Sequence, residues 1–126
     1  LGQTADAMRV YDIVRAVEAI KQSSASDLVT MELNAQGIQA GMAVYEAIVD
    51  STVSKLNLLD PPVAHRSGPI LLNVRKIFDM PQAISLAGTT ATVSIRTDSP
   101  SGFDYVTQLQ RTLEAGSKVR FQKRKK

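Results

Sequence analysis

The sequence predicts an α/β domain, a mostly parallel sheet of about four strands joined by crossover helices. Three observations carry that prediction. Segments with apolar residues at helical spacing alternate along the chain with short runs of period two. Gly-, Pro- and Ser-containing clusters separate them, and no internal repeat or long linker divides the chain. A strand that alternates with helices pairs in parallel, because each crossover carries the chain back to the same end of the sheet. Residues 1–122 are read as one domain and residues 123–126 as a basic tail.

The elements follow in the order α-β-α-β-α(α)-β-α-β. "TADAMRVYDIVRAVEAIK" places Val10, Ile13, Val14, Val17 and Ile20 on one helical stripe, with Thr4 as its N-cap. After the breaker "SSASD", residues 28–33 read as a strand with Val29, Met31 and Leu33 on one face and Thr30 and Glu32 on the other. A small-residue corner, "NAQG", leads to a second helix starting near Gly37, with Ile38, Met42, Tyr45 and Ile48 in register. "VSKLNLLD" is the next strand, closed by Pro61 and Pro62. "PILLNVRKIFDMPQAISLAG" reads as two short helices, with Pro81 in the first turn of the second. "TTATVSIRTD" is a strand with Ala91, Val93 and Ile95 inward. A last helix carries Phe103, Val106, Leu109 and Leu113 and ends at Gly116, and "KVRFQ" is a final short strand.

Composition narrows the function. The chain of 126 residues is 44% hydrophobic and 21% charged, as expected of a globular domain. No apolar run approaches the ~20 residues that cross a bilayer, so no membrane partner is expected. No charged-then-apolar leader is visible, and the chain starts at Leu1 rather than Met, which fits a processed product or a piece of something longer. With no cysteine, thiol chemistry and disulfides are excluded. The net charge of +3 resides in the tail: removing the four charges of Lys123, Arg124, Lys125 and Lys126 leaves −1 for residues 1–122.

The segments resemble the C-terminal half of an α/β-hydrolase, nearest to the acetylxylan-esterase-like and dienelactone-hydrolase-like branch. "AMRVYDIVRAVEAIK" is similar to the helix before the nucleophile strand, with Arg9, Asp12 and Ala16 in an Arg-x-x-Asp-hydrophobic-x-x-Ala pattern. "LVTMELNAQGIQAGMAVYEAI" stands where such esterases have the strand, the Gly-x-Ser-x-Gly elbow and the following helix. "TVSKLNLLD", "FDMPQAISLAG" and "TTATVSIRTDSP" resemble the strand, helix and strand that follow. The elbow here reads Leu33-Asn34-Ala35-Gln36-Gly37, so the resemblance puts Ala35 at the nucleophile position, where a methyl group has no lone pair. It puts Asp98 at the position of the triad acid. No histidine follows the last strand, and the one His, His65, lies in the loop after "LLDPP", read as a surface or pocket-lining residue. A triad acts as one unit, so a chain without nucleophile and base is not expected to hydrolyse esters in the family's manner.

The resemblance also implies a partner. In the family the strand before the elbow is central, so strand 28–33 would be an open edge, paired with another protein chain or with a missing N-terminal half. Yet Glu32, Lys55, Asn57, Thr92, Ser94 and Arg120 alternate with apolar neighbours, which makes one sheet face more polar than a doubly wound fold predicts. With one His and no Cys, no metal site is expected, and no phosphate-loop motif calls for a nucleotide cofactor. Asp98 and Asp104 are read as caps of the helix near residue 102. Three function classes remain: a non-catalytic hydrolase-like segment, an interaction module using the free sheet edge, and, as the weakest, a nucleic-acid-associated domain built on the tail.

Overall fold

The computed structural model describes residues 4–25, 30–71, 79–112 and 118–122. Helix α1 (Ala5–Ser23) leads to β1 (Met31–Gln36), α2 (Ile38–Val49) and β2 (Val53–Leu59). Then come α3 (Met80–Thr90), β3 (Thr92–Arg96), a 3₁₀ turn at Pro100–Phe103, α4 (Asp104–Thr112) and β4 (Val119–Gln122). The four strands form one sheet in the order β1-β2-β3-β4, every pair parallel. The predicted fold class is the one observed.

Register stacks like residues across the whole sheet. Leu33, Leu56, Val93 and Val119 form one row, and Ala35, Leu58, Ile95 and Phe121 the next. These rows face the helices and belong to the core or pack against it. The alternate rows, such as Asn34, Asn57, Ser94 and Arg120, face the other way. Among the described residues the helices therefore pack on one side, in two layers rather than three. In β2 a register shift between Met31 and Glu32 leaves Ser54 as the extra residue, a bulge that puts Val53 and Leu56 both inward three positions apart.

Small residues set the helix layer. Ala40, Ala43 and Ala47 of α2 and Ala83 and Ala87 of α3 are buried, which lets the two helices approach closely above Leu58, Val93 and Ile95. Helix α1 packs against α2, and of its residues only Val17 is buried. Ile20, expected on the apolar stripe, is exposed, as is Ile38 of α2. Thr4 caps α1 as predicted, its hydroxyl accepting from Ala7 N at 3.1 Å. Helix α3 starts in a capping box, where Asp79 accepts from Met80 N and Gln82 Oε1 accepts from Asp79 N.

Strand β1, described as Met31–Gln36, ends three residues later than read from the sequence: Asn34, Ala35 and Gln36 continue the ladder, and the corner contracts to Gly37. Val29, the first of the two helices placed in "PILLNVRKIFDM", Leu113, Gly116 and the tail lie outside the described residues. Among the described residues no helix is long and apolar enough to cross a membrane.

One buried group sits in α2 without support. Glu46 is fully buried, and neither carboxylate oxygen has a hydrogen-bond partner among the described residues. Burial, and then the charges of Asp50 and Glu18, hold its carboxyl above the ordinary 4.5, against an opposing pull from Lys21. Lys21 is instead bonded to Asp50 at 2.7 Å. Burial alone would raise Asp50, but hydrogen bonds from Lys21 and Thr52 outweigh it and leave that carboxyl below 3.8. The folded state thus favours protonated Glu46. Its contribution to stability is complete below 4.5 and is lost as pH rises through the raised value, whereas that of Asp50 is lost only in stronger acid. Glu46→Leu is expected to raise the urea midpoint at pH 8, by about 1–4 kcal/mol in unfolding free energy, and by less at pH 4.5. A midpoint that drops equally at both pH values would show that Glu46 has a partner.

Candidate functional site

The sequence-predicted site lies at the carboxyl ends of the strands, where open α/β sheets bind ligands. Strand β1 turns into α2 at Gly37, whose φ of 59° and ψ of −129° fall where L side chains are strained. Its N–H donates to Leu59 O at 2.9 Å and its carbonyl accepts from Ala40 N at 3.1 Å, so the turn is fixed to β2 on one side and to the helix on the other. The residue in the strained position has no side chain. Ala35 is two residues earlier, inside the strand, opposite Leu58 and half-buried against the core.

Asp98 stands exposed in the bend after β3. A depression of about 350 Å³ beside it is lined by Thr97, Pro100, Phe121 and Gln122. Strands β1 and β3 are separated by β2, which sets their axes roughly 10 Å apart. The structure thus leaves Ala35 within the ladder, one residue before the end of β1, and Asp98 on a loop two strands away. Ser99 is the cap residue of the 3₁₀ turn, without a side-chain cap bond, and Asp104 is the first residue of α4, an acidic group in its first turn.

His65 is neither a surface nor a pocket residue. It is 5% exposed, inside the loop that leaves β2. Its Nδ1 lies 3.0 Å from Pro69 O and its Nε2 2.6 Å from Tyr45 Oη. A carbonyl can only accept, so Nδ1 carries the proton and Nε2 accepts from the tyrosine hydroxyl. Burial, and then the nearby Asp79 charge, raise the Tyr45 pKa, which keeps that hydroxyl a donor. Asp79 Oδ1 also accepts from His65 N at 2.6 Å. Gly41 completes the fit, since a Cβ there would come within 2.7 Å of Pro69 Cδ. Both ring nitrogens are engaged, so this histidine fastens a loop and is not available as a base. Nothing in the sequence pattern marks that role, because Tyr45 and His65 meet only through the fold.

A larger concavity than the one beside Asp98 lies on the open face of the sheet, where a shallow groove of about 750 Å³ runs across all four strands. Its floor is the set of alternate rows: Glu32, Lys55 and Thr92; then Asn34, Asn57, Ser94 and Arg120; then Gln36, Leu59, Arg96 and Gln122. Lys55 Nζ bonds Glu32 at 3.2 Å. Asn57 Nδ2 donates to Glu32 and to Asn34 Oδ1, the latter at 2.8 Å. Arg96 Nε donates to Gln122 Oε1 at 3.0 Å. The period-two alternation announced a polar face, but not that in-register pairing would gather it into one groove. No group of three or more metal-ligating side chains occurs among the described residues.

No protein-family model, curated protein or solved structure matches this chain.

Two substitutions test this geometry. Gly37→Ala meets no atom within 4 Å, so its cost is backbone strain alone, expected at about 1–2 kcal/mol by denaturant unfolding. Tyr45→Phe leaves the buried His65 Nε2 without its donor and is expected to cost about 1–3 kcal/mol. If either variant has the wild-type midpoint, the turn or the clamp is not formed as described.

Proposed function

We propose that this chain is a non-catalytic segment of α/β-hydrolase type, resembling carbohydrate esterases, whose role is association with another chain or domain. The observation that carries the reading is the corner at Gly37. A parallel strand, a strained turn and a helix are kept in the order that presents a nucleophile, but the strained position is a glycine and the single histidine is locked in a loop. Neither a nucleophile nor a free base stands among the described residues at that corner, and Asp98 is two strands away.

The association surface is the edge of β1. Among the described residues this strand pairs with β2 on one side only. Met31 N donates to Thr52 O and Gly37 N to Leu59 O, so the odd-numbered residues direct their backbone groups to β2. Alternation then turns the N–H and C=O groups of Glu32, Asn34 and Gln36 outward. Parallel sheets seldom leave such an edge open, because each unpaired group is a template for another strand. Among the described residues the opposite edge, β4, spans four residues against six for β1, so β1 offers the longer described edge. The partner is another protein chain or a preceding half of the same fold.

The test joins two measurements on the purified chain. With p-nitrophenyl acetate, the wild type and Asp98→Asn are expected to show the same background rate; turnover that disappears with Asp98→Asn overturns the non-catalytic reading. Native mass is expected to exceed that of a single chain, with Asn34→Pro returning it to the monomer. That proline removes an outward N–H while leaving the β2 ladder intact. A wild-type monomer with slow hydrogen exchange at Glu32, Asn34 and Gln36 would mean that the edge is covered from within, and the association reading would fail.

A further inference from the structure

We propose that the groove on the open sheet face binds a small polyhydroxylated molecule bearing an oxyanion, a sugar phosphate or a sugar carboxylate. The site uses side chains on the open face of the sheet, including those of Glu32 and Asn34 on β1, and none of its polar groups belongs to the corner at Gly37. Its volume of about 750 Å³ falls in the range of small-molecule sites. Its two halves have different chemistry, and each half is already organised.

The half on β3 and β4 is cationic. Ser94 lies in register with Arg120, and Arg96 with Gln122, so the two arginines occupy diagonal positions on the same face of neighbouring strands. At that spacing like charges repel unless an anion lies between them. Neither guanidinium has a carboxylate partner among the described residues, whereas Lys55 is paired with Glu32. Gln122 holds Arg96 through Nε, which leaves the terminal nitrogens for a ligand. A planar fork held in this way suits the oxygens of a carboxylate or phosphate. The hydroxyl of Ser94 stands beside the pair as a further donor.

The half on β1 and β2 is neutral and hydrogen-bonding. Both N–H groups of Asn57 are used, on Glu32 and on Asn34 Oδ1. That leaves Asn57 Oδ1 as an acceptor and Asn34 Nδ2 as a donor, one strand apart and locked in place. Alternating donors and acceptors on a fixed shelf match hydroxyl groups, which need both. Asn57 and Arg120 share a row and stand two strands apart, roughly 10 Å, the reach of a hexose with a terminal anionic group. A purely anionic ligand would leave the amide shelf unused, and a neutral sugar would leave the arginine pair uncompensated.

The experiment is a titration of the full chain, followed by NMR, with four probes: glucose 6-phosphate, glucuronate, glucose and inorganic phosphate. Saturable millimolar or tighter binding of glucose 6-phosphate or glucuronate, with shifts at the Arg96 and Arg120 Nε–H groups, is the expected result; which of the two binds tighter identifies the anion. Arg96→Gln and Arg120→Gln should each weaken that binding by about tenfold or more. Asn57→Ala should weaken the sugar anions but leave inorganic phosphate unchanged. Binding that survives both arginine changes, or that follows Lys125→Gln and Lys126→Gln instead, assigns the anion to the tail and overturns the proposal. Inorganic phosphate binding as tightly as glucose 6-phosphate removes the shelf from the site and overturns it as well, as does the absence of saturation by every probe. Esterase turnover and native mass have no bearing on these outcomes.

Discussion

Parallel pairing in register is the constraint from which the rest of this structure follows. Because the four strands run the same way and align residue for residue, each row across the sheet carries one kind of side chain. Two rows are apolar and can be buried only against helices, so α2 and α3 must lie above them. The rows between are amides, hydroxyls and charges apart from Leu59, and helices could not cover them without stranding polar groups away from water. One alternation therefore decides the two-layer build, the location of the core and the presence of a polar floor. The bulge at Ser54 keeps Val53 inward where strict alternation would have turned it out.

Within the helix layer, close packing and polar fastening do different work. Alanines bring α2 and α3 together over the strands, a non-specific gain from burial and dispersion. The loop after β2 is placed by directed bonds instead: His65 to Tyr45 and Pro69, and Asp79 to the His65 amide. Directed bonds fix one arrangement, because every alternative leaves a buried donor or acceptor unmade. Glu46 is the exception, a buried carboxyl without a hydrogen-bond partner among the described residues, whose burial favours the protonated form.

Much of the fold was legible in the sequence because period-two and helical patterns survive without tertiary information. Ala91, Val93 and Ile95 point inward as the alternation requires, and Thr4 and Pro81 begin their helices where local chemistry puts them. The end of β1 was misplaced because "NAQ" is small and polar, as turns are, although Glu32, Asn34 and Gln36 still alternate with Met31, Leu33 and Ala35. There the ladder to β2 overrode local propensity. The positions singled out by resemblance, Ala35 and Asp98, are separated by a strand, and no spacing rule could have shown that Gly37 holds the strained turn. The groove escaped notice because Arg96 and Arg120 are 24 positions apart in sequence and become diagonal neighbours only through the register of β3 and β4.

The loop after β2 has a further consequence for how the molecule opens. Ile70 receives the Thr4 hydroxyl on its carbonyl and donates its amide to Asp6 at 2.8 Å, so the first turn of α1 is tied to the same loop that grips Tyr45 of α2 and Asp79 at the start of α3. One irregular segment is thus the common fastener of three helices that are far apart in the chain. Opening it locally exposes all three attachments together, so these regions form a single cooperative unit rather than three fraying ends. The loop, usually the most forgiving part of an α/β domain, is here among the least tolerant of change.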